Sequence, residues 1–250
     1  MSNRRSFWEW SLQYVGDPNS WDARGEVIVS MMLENGLKSS DNVLDIGCGN
    51  LNTGAPLLKF LDRKHYVGIE PNGWLIEAAL ERFPELDGKE FAYSDTTDFD
   101  VSHLDMTFDH VVSHSVLSHA AHWQIPQAMS NVRKVVREGA VWLASIRLDQ
   151  YNSFDKNWVY PGVSTFRLQT LQSWGHHAGW KVDHVPEYRE RLINVAPNDF
   201  HNWIRMTAVP STSDMNNLRL HEEQRQAEEQ EIMDMANEEY RRRLAEEDHS

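Results

Sequence analysis

The 250-residue chain has a single cysteine, Cys48, and no long hydrophobic segment. One cysteine cannot form an internal disulfide bond, which fits a reducing compartment. No run of about 18 apolar residues is present to form a membrane helix, and the first residues lack the apolar segment of a signal peptide. We therefore expect a cytoplasmic protein that does not bind membranes.

Positive charge is also scarce. The formal net charge is −14, and half of it lies in residues 211–250, where 12 acids face 5 arginines. The basic run at 241–243 is itself surrounded by glutamates. An acidic surface repels the phosphate backbone of nucleic acids, so we do not expect DNA or RNA as a partner.

A glycine-spaced loop follows the apolar segment that ends at Asp45, with glycines at Gly47 and Gly49. Glycine permits sharp turns and close approach of the backbone to a ligand. A dinucleotide-binding fingerprint requires a third glycine three residues after the second, but that position is Asn52. The pattern indicates a loop for a nucleotide-containing cofactor that has no pyrophosphate at this point.

The string Asp45-x-Gly47-x-Gly49 closely resembles the first motif of the class I S-adenosylmethionine-dependent methyltransferases. Four further elements match that family in order. They are a strand at 65–69 that delivers Glu70, a strand at 91–94 that leads into Asp95, a strand at 108–113 and a strand at 139–144. The resemblance spans roughly residues 40–146.

This resemblance implies an α/β fold, a three-layer Rossmann-like sandwich. Its seven-stranded, mostly parallel sheet would have the order 3-2-1-4-5-7-6, with the last strand antiparallel. Alternation of strands and helices along the chain agrees with such a sheet, which is buried on both faces. The implied cofactor is S-adenosylmethionine, and the implied product is S-adenosylhomocysteine.

The resemblance also assigns cofactor contacts at the ends of the first four strands. These residues are Asp45, Gly47, Cys48, Gly49, Glu70, Pro71, Asp95, Thr96 and Ser113. Glu70 would bind the ribose hydroxyls, and Asp95 with Thr96 would contact adenine. The glycine loop would approach the methionine portion, which Asp45 would bind or brace, and Ser113 would lie near the sulfonium. We expect Cys48 to be a small loop residue, since nothing nearby marks it as an activated thiolate.

Four histidines fall within 13 residues, at positions 110, 114, 119 and 122. They follow the fourth strand, near the edge of the sheet where ligands of open α/β folds bind. Imidazole can accept a proton near neutral pH, so we take His119 as the first candidate for a general base and His114 as the second. Hydrogen bonding or helix capping by these histidines is the alternative. No cysteine or acid nearby completes a ligand set with His110 and His114, so no metal site is predicted.

The expected organisation has three parts. Residues 1–36 form N-terminal helices or a lid, residues 37–210 form the methyltransferase domain, and residues 211–250 form an acidic tail that is helical or disordered. Residues 147–164 form a polar and aromatic insert that covers the substrate. Aromatic residues from both ends of the cofactor half are expected to line the acceptor pocket, namely Trp10, Tyr14, Tyr151 and Trp158.

The resulting functional hypothesis is methyl transfer to an oxygen or nitrogen of a small-molecule acceptor. The Asn/Asp-Pro-Pro-aromatic motif of amino-methylating DNA enzymes is absent, and Ser113-His114-Ser115-Val116 occupies its place. Two alternatives remain. One is methylation of a protein or peptide, with the tail as a docking arm. The other is a non-catalytic cofactor-binding subunit that activates another chain through the tail. A homo-oligomer is also possible.

Overall fold

The computed structural model describes residues 6–209 except 16, 90 and 154, so the predicted tail lies outside the described residues. Seven strands form one sheet in the order β3-β2-β1-β4-β5-β7-β6. They are β1 Val43–Ile46, β2 Tyr66–Ile69, β3 Ala92–Ser94, β4 Phe108–Ser113, β5 Val136–Ile146, β6 Trp180–His184 and β7 Asn202–Ala208. Only β7 runs antiparallel to its neighbours, which confirms the predicted fold class and strand order.

Seven α-helices accompany the strands in the described part of the chain. They are α1 Phe7–Tyr14, α2 Trp21–Glu34, α3 Gly54–Phe60, α4 Gly73–Arg82, α5 Gln124–Lys134, α6 Leu168–His177 and α7 Pro186–Val195. The sequence pattern did not indicate α7. That helix buries only Tyr188 and Leu192, so its apolar spacing is too sparse to stand out from a loop.

The sheet is covered on both faces. Successive residues of β1 and β4 enter opposite cores, with Leu44 and Val111 on one side and Val43 and Val112 on the other. Because both faces are buried at the centre of the sheet, every residue of β1 and β2 is buried, whereas the edge strand β6 begins with alternating buried and exposed residues. Several tryptophans belong to this packing; Trp142, Trp180 and Trp203, for example, are fully buried.

The arrangement of strands creates one preferred binding position. The chain passes from β1 to β2 on one side, whereas β4 pairs with the other side of β1. Ligands of open α/β sheets bind at such a reversal, beyond the carboxyl ends of the strands. Every helix among the described residues is too short or too polar to cross a membrane.

Candidate cofactor and acceptor site

A cavity of about 650 Å³ lies at the carboxyl ends of β1, β2 and β4. Its walls come from the end of α1, from α2, from the loops after these strands and from the segment that contains Trp158 and Tyr160. The volume is within the range of pockets that hold small molecules and cofactors. The cavity is therefore the candidate functional site.

The glycine loop forms the floor of the cavity at the end of β1. Gly47 and Gly49 have φ angles of +68° and +54°, a conformation that favours glycine. The backbone N–H groups of Gly47 and Cys48 both donate to the carbonyl of Ile69, at 2.8 and 3.0 Å. A Cβ atom at Gly47 would lie 2.2 Å from a methyl group of Val116. Both conformation and space therefore require glycine at 47.

Asp45 is buried below this loop and lines the cavity. The hydroxyl of Tyr66 donates to its carboxylate at 2.8 Å. Burial raises the pKa of Asp45 to about 7, while the bond from Tyr66 opposes the shift and the charge of Glu70 adds to it. Burial also raises the pKa of the Cys48 thiol well above its ordinary value, so this cysteine is not activated.

Glu70 lies at the carboxyl end of β2, buried and at the cavity wall. One carboxylate oxygen accepts the N–H of Gly49 at 3.1 Å. The other accepts the backbone and side-chain N–H groups of Asn72, at 2.8 and 2.9 Å. The carboxylate is thus held between the glycine loop and the start of α4, with acceptor capacity left for a ligand hydroxyl.

The remaining residues assigned to the cofactor divide into two groups. Pro71 and Thr96 line the cavity, but the structure does not bring Asp95 or Ser113 to it. Asp95 is exposed. Ser113 is fully buried, and its hydroxyl accepts the indole N–H of Trp142 at 3.0 Å. The cavity wall after β3 contains Phe99, which the sequence analysis did not select.

His119 lies beside the cavity at the end of the short helical turn after β4. Its Nδ1 lies 2.7 Å from the carbonyl oxygen of Gly162. A carbonyl only accepts hydrogen bonds, so Nδ1 carries the proton of the neutral ring and Nε2 keeps its lone pair. Nε2 lies 3.4 Å from the hydroxyl of Ser115, which also lines the cavity. Burial lowers the pKa of His119, so the ring is a neutral proton acceptor near pH 7.

His114 also lines the cavity, but its ring is committed to different partners. Its Nε2 lies 2.8 Å from a carboxylate oxygen of Asp199, and the ring stacks on Trp203 with an interplanar angle of 3°. Burial lowers the pKa of His114, against the opposing charge of Asp199. Burial raises the pKa of Asp199, but His114 and His201 outweigh it and hold that pKa well below its ordinary value.

The other two histidines of the cluster do not line the cavity. His110 is near the start of β4, where Nε2 lies 3.5 Å from Asp41. His122 has its Nδ1 3.2 Å from the carbonyl of Asp155. The carboxylate partner of His114 is separated from it by 85 residues, so no local sequence signal could have identified Asp199.

Aromatic side chains form the outer wall of the cavity. Tyr14 and Trp158 line it, whereas Trp10 and Tyr151 do not and are 56% and 70% exposed. Tyr160, which the sequence analysis did not select, links the two sides. Its hydroxyl donates to the carbonyl of Tyr14 at 2.5 Å, and its ring lies 5.0 Å from that of His119.

Arg24, like Phe99 and Tyr160, lines the cavity without having been predicted from the sequence. It is a buried residue of α2 that lines the cavity, and its Nε donates to the Asn52 side chain at 3.1 Å. Among the described residues, no carboxylate forms an ion pair with it. Burial lowers its pKa, and the charges of Asp199 and Asp17 oppose this shift. Asn52, where the dinucleotide fingerprint would have glycine, thus orients a buried cation.

A Rossmann-like sheet with a glycine loop, an acid at the end of the second strand and a cavity between them defines a protein that binds a nucleotide-containing cofactor. Residues 44–142 match the family model described as a methyltransferase domain. This match covers 99 of the 250 residues, and the seven-stranded fold agrees with the resemblance to the class I S-adenosylmethionine-dependent methyltransferases. A comparison with curated proteins found no match.

Solved structures share the fold at low sequence identity. CalS10, an amino pentose methyltransferase from Micromonospora echinaspora, has a TM-score of 0.58 and 13% identity over 84% of this chain and 100% of its own. A putative methyltransferase of Haloferax volcanii, in complex with the Trm112 activator, has a TM-score of 0.57 and 14% identity over 84% and 99%. The [4+2]-cyclase SpnF has a TM-score of 0.58 and 12% identity over 83% and 98%. At these identities the similarity concerns the fold alone.

Proposed function

We propose that this methyltransferase methylates an oxygen or nitrogen of a small-molecule acceptor, with His119 as the general base. The observation that carries this proposal is the Gly162 carbonyl, 2.7 Å from Nδ1 of His119. It leaves the lone pair on Nε2, in a ring that lies at the cavity wall beside Trp158 and Tyr160. Imidazole in this state is suited to take a proton from an attacking hydroxyl or amine.

The cavity residues fit the cofactor in chemical type. Glu70 offers carboxylate oxygens to the ribose hydroxyls. Asp45 offers a buried carboxylate to the ammonium of the methionine portion, and Arg24 offers a buried guanidinium to its carboxylate. Thr96 and Phe99 supply polar and apolar surface for the adenine. When bound, S-adenosylmethionine supplies an electrophilic methyl group.

The protein's own contribution is then to orient the acceptor, exclude water and remove one proton. Tyr14, Trp158 and Tyr160 close the outer wall and would hold an acceptor between them and the base. We include residues 147–164 in the proposal as the segment that covers the acceptor, since Gly162 also orients His119. This aromatic wall favours a small molecule over the side chain of a folded protein.

Calorimetric titration of the purified protein with S-adenosylmethionine, S-adenosylhomocysteine and NAD tests the cofactor part. We expect micromolar binding of both sulfur ligands, no comparable binding of NAD, and loss of binding in Glu70→Ala. Glu77→Ala is the matched control, because Glu77 is an exposed glutamate of α4 and should leave affinity unchanged. Acceptors would then be screened by methyl transfer.

If neither sulfur ligand binds, the chain retains only the fold, and the alternative of a partner subunit becomes the better hypothesis. If both bind but no small molecule is methylated while a peptide is, the acceptor class in the proposal is wrong and the cofactor assignment stands.

A further inference from the structure

Three metal-ligating side chains meet beside the cavity, outside the groups used above. His114 directly follows β4, whereas Asp199 and His201 lie between α7 and β7. Nε2 of His114 and Nδ1 of His201 lie 2.8 and 2.9 Å from the two carboxylate oxygens of Asp199. One ligand atom from each residue lies within 4.8 Å of the other two.

We propose that His114, Asp199 and His201 bind one divalent first-row transition-metal ion of the Zn²⁺ type. Two imidazole nitrogens and one carboxylate oxygen form a donor set that suits such ions and does not suit Mg²⁺ or Ca²⁺, which prefer oxygen ligands. The sequence predicts no nearby cysteine or acid that completes a ligand set with His110 and His114. The fold instead supplies Asp199 and a second histidine from a distant segment.

The surrounding contacts orient these ligands. On the far side of the His201 ring, Nε2 lies 3.1 Å from the hydroxyl of Ser118. The backbone N–H of His201 donates to Asp199 at 3.2 Å, and the stack on Trp203 fixes the ring of His114. Metal-binding histidines commonly donate their second ring N–H to such a neighbour.

The same three residues form a closed hydrogen-bonded network when no ion is bound. Each histidine then donates one N–H to Asp199, and His201 accepts the Ser118 hydroxyl. Ion binding requires both rings to move their proton to the other nitrogen. Ser118 tolerates this change, because a hydroxyl can accept from Nε2 as well as donate to it.

The positive charge of Arg24 would repel a metal cation bound at this site. Arg24 and His114 line the same cavity, so a cation at His114 would face the guanidinium charge of Arg24. Removal of this charge should therefore tighten metal binding. Arg24→Met, which keeps the length of the side chain, is the variant for this measurement.

The ion would lie next to the wall of the acceptor pocket. If the proposed function is correct, it could bind the acceptor. Three protein ligands leave coordination positions open for water or an acceptor oxygen. His114 lines the cavity, and Ser118 directly precedes His119. An oxygen acceptor bound at the ion would lie near the proposed base.

The test is metal binding by the chelator-treated full chain without cofactor or acceptor, so its outcome is independent of methyl transfer. ZnCl₂ titration by calorimetry should give one equivalent with micromolar affinity, and Co²⁺ should give visible d–d absorption. Asp199→Asn and His201→Ala should each weaken binding by about 100-fold or more. Arg24→Met should tighten it several-fold.

His103→Ala is the matched control, because His103 is an exposed histidine and its removal should change nothing. Circular dichroism and thermal unfolding verify that each variant folds, and His201→Asn serves as a smaller change if His201→Ala does not. Absence of Zn²⁺ and Co²⁺ binding to the wild type overturns the proposal. Binding that survives Asp199→Asn and His201→Ala in folded protein overturns it equally.

Discussion

His119 and Gly162 are joined by a hydrogen bond of 2.7 Å between Nδ1 and the backbone carbonyl. The bond connects the turn after β4 to the segment 147–164, which also contributes Trp158 and Tyr160 to the cavity wall. One contact therefore sets the tautomer of the proposed base and holds the covering segment over it. The partner is a main-chain carbonyl, so the bond needs no side chain at 162, where a Cβ atom would lie 2.9 Å from the carbonyl oxygen of Val159.

Replacement of His119 by Gln should reduce turnover by about 10²- to 10⁴-fold and leave S-adenosylhomocysteine affinity unchanged. Burial lowers the pKa of His119 below its ordinary value of 6.5. Wild-type activity should therefore fall only as the pH drops below that lowered pKa, and the variant should lack this limb. His184→Gln, at an exposed histidine of β6, is the control. A pH profile unchanged by His119→Gln would remove His119 from the mechanism.

Replacement of Arg24 by Met should weaken S-adenosylhomocysteine binding by about 10- to 100-fold, the usual effect of losing a hydrogen bond to a charged group. Binding of methylthioadenosine, which has no amino-acid portion, should be unaffected. Calorimetry with both ligands measures the difference. Arg137→Met is the control, since Arg137 is exposed and pairs with Asp109. Equal losses for both ligands would mean that Arg24 supports the fold and does not bind the carboxylate.

Replacement of Gly47 by Ala should abolish cofactor binding and lower the free energy of unfolding by about 1–3 kcal/mol. The new methyl group would meet Val116 at 2.2 Å in a backbone conformation with φ of +68°. Gly73→Ala is the matched control, because nothing lies within 4 Å of its Cβ position at the start of α4. Chemical denaturation should show lower stability, and ligand titration should show no cofactor binding, for Gly47→Ala only; Gly73→Ala should behave like the wild type. Similar behaviour would contradict the role given to Gly47.

The titration of Asp45 should make the unliganded protein less stable as the pH rises. Below the ordinary pKa of 3.8 the carboxyl is protonated in both states, and its contribution is complete. Between pH 3.8 and about 7, the carboxyl loses its proton in the unfolded chain but keeps it in the folded chain. The free energy of unfolding therefore falls by about 1.4 kcal/mol for each pH unit in this range. Asp45→Asn should lack this slope. Parallel stability curves for the two proteins between pH 4 and 8 would refute it.

Replacement of Trp158 by Ala should raise the KM for the acceptor about tenfold and leave S-adenosylhomocysteine affinity unchanged, because an aromatic surface is lost only from the outer wall. Tyr151→Ala provides the comparison. Tyr151 belongs to the same segment but is 70% exposed and does not line the cavity. If both variants raised KM equally, the segment would act through its general order and not through Trp158.

Much of the fold followed from local pattern. The resemblance to the methyltransferase family implied the strand order and the position of Glu70 at the end of β2, and its motifs can be identified because each depends on neighbouring residues. Helix α7 was not predicted, since only Tyr188 and Leu192 of its ten residues are buried. Its stability comes from packing, which a single segment does not reveal.

Of the candidate site, the sequence predicted the residues at the ends of β1 and β2 that line the cavity. The glycine loop and Glu70 line the cavity, as their motif implied, but Asp95 and Ser113 do not. Ser113 lies at the carboxyl end of β4, as predicted. Its hydroxyl, however, accepts a hydrogen bond from the indole N–H of Trp142 in β5 and does not line the cavity. The choice between two faces of a strand depends on the partner across the sheet.

The sequence by itself therefore determined the class of fold, the glycine loop and the cofactor family, because these depend on residues close together in the chain. Tertiary structure decided which side chains share the cavity. Arg24, Tyr160 and the Asp199 partner of His114 come from segments far apart in sequence. Their proximity results from the crossover topology of the sheet, which brings distant segments to one edge.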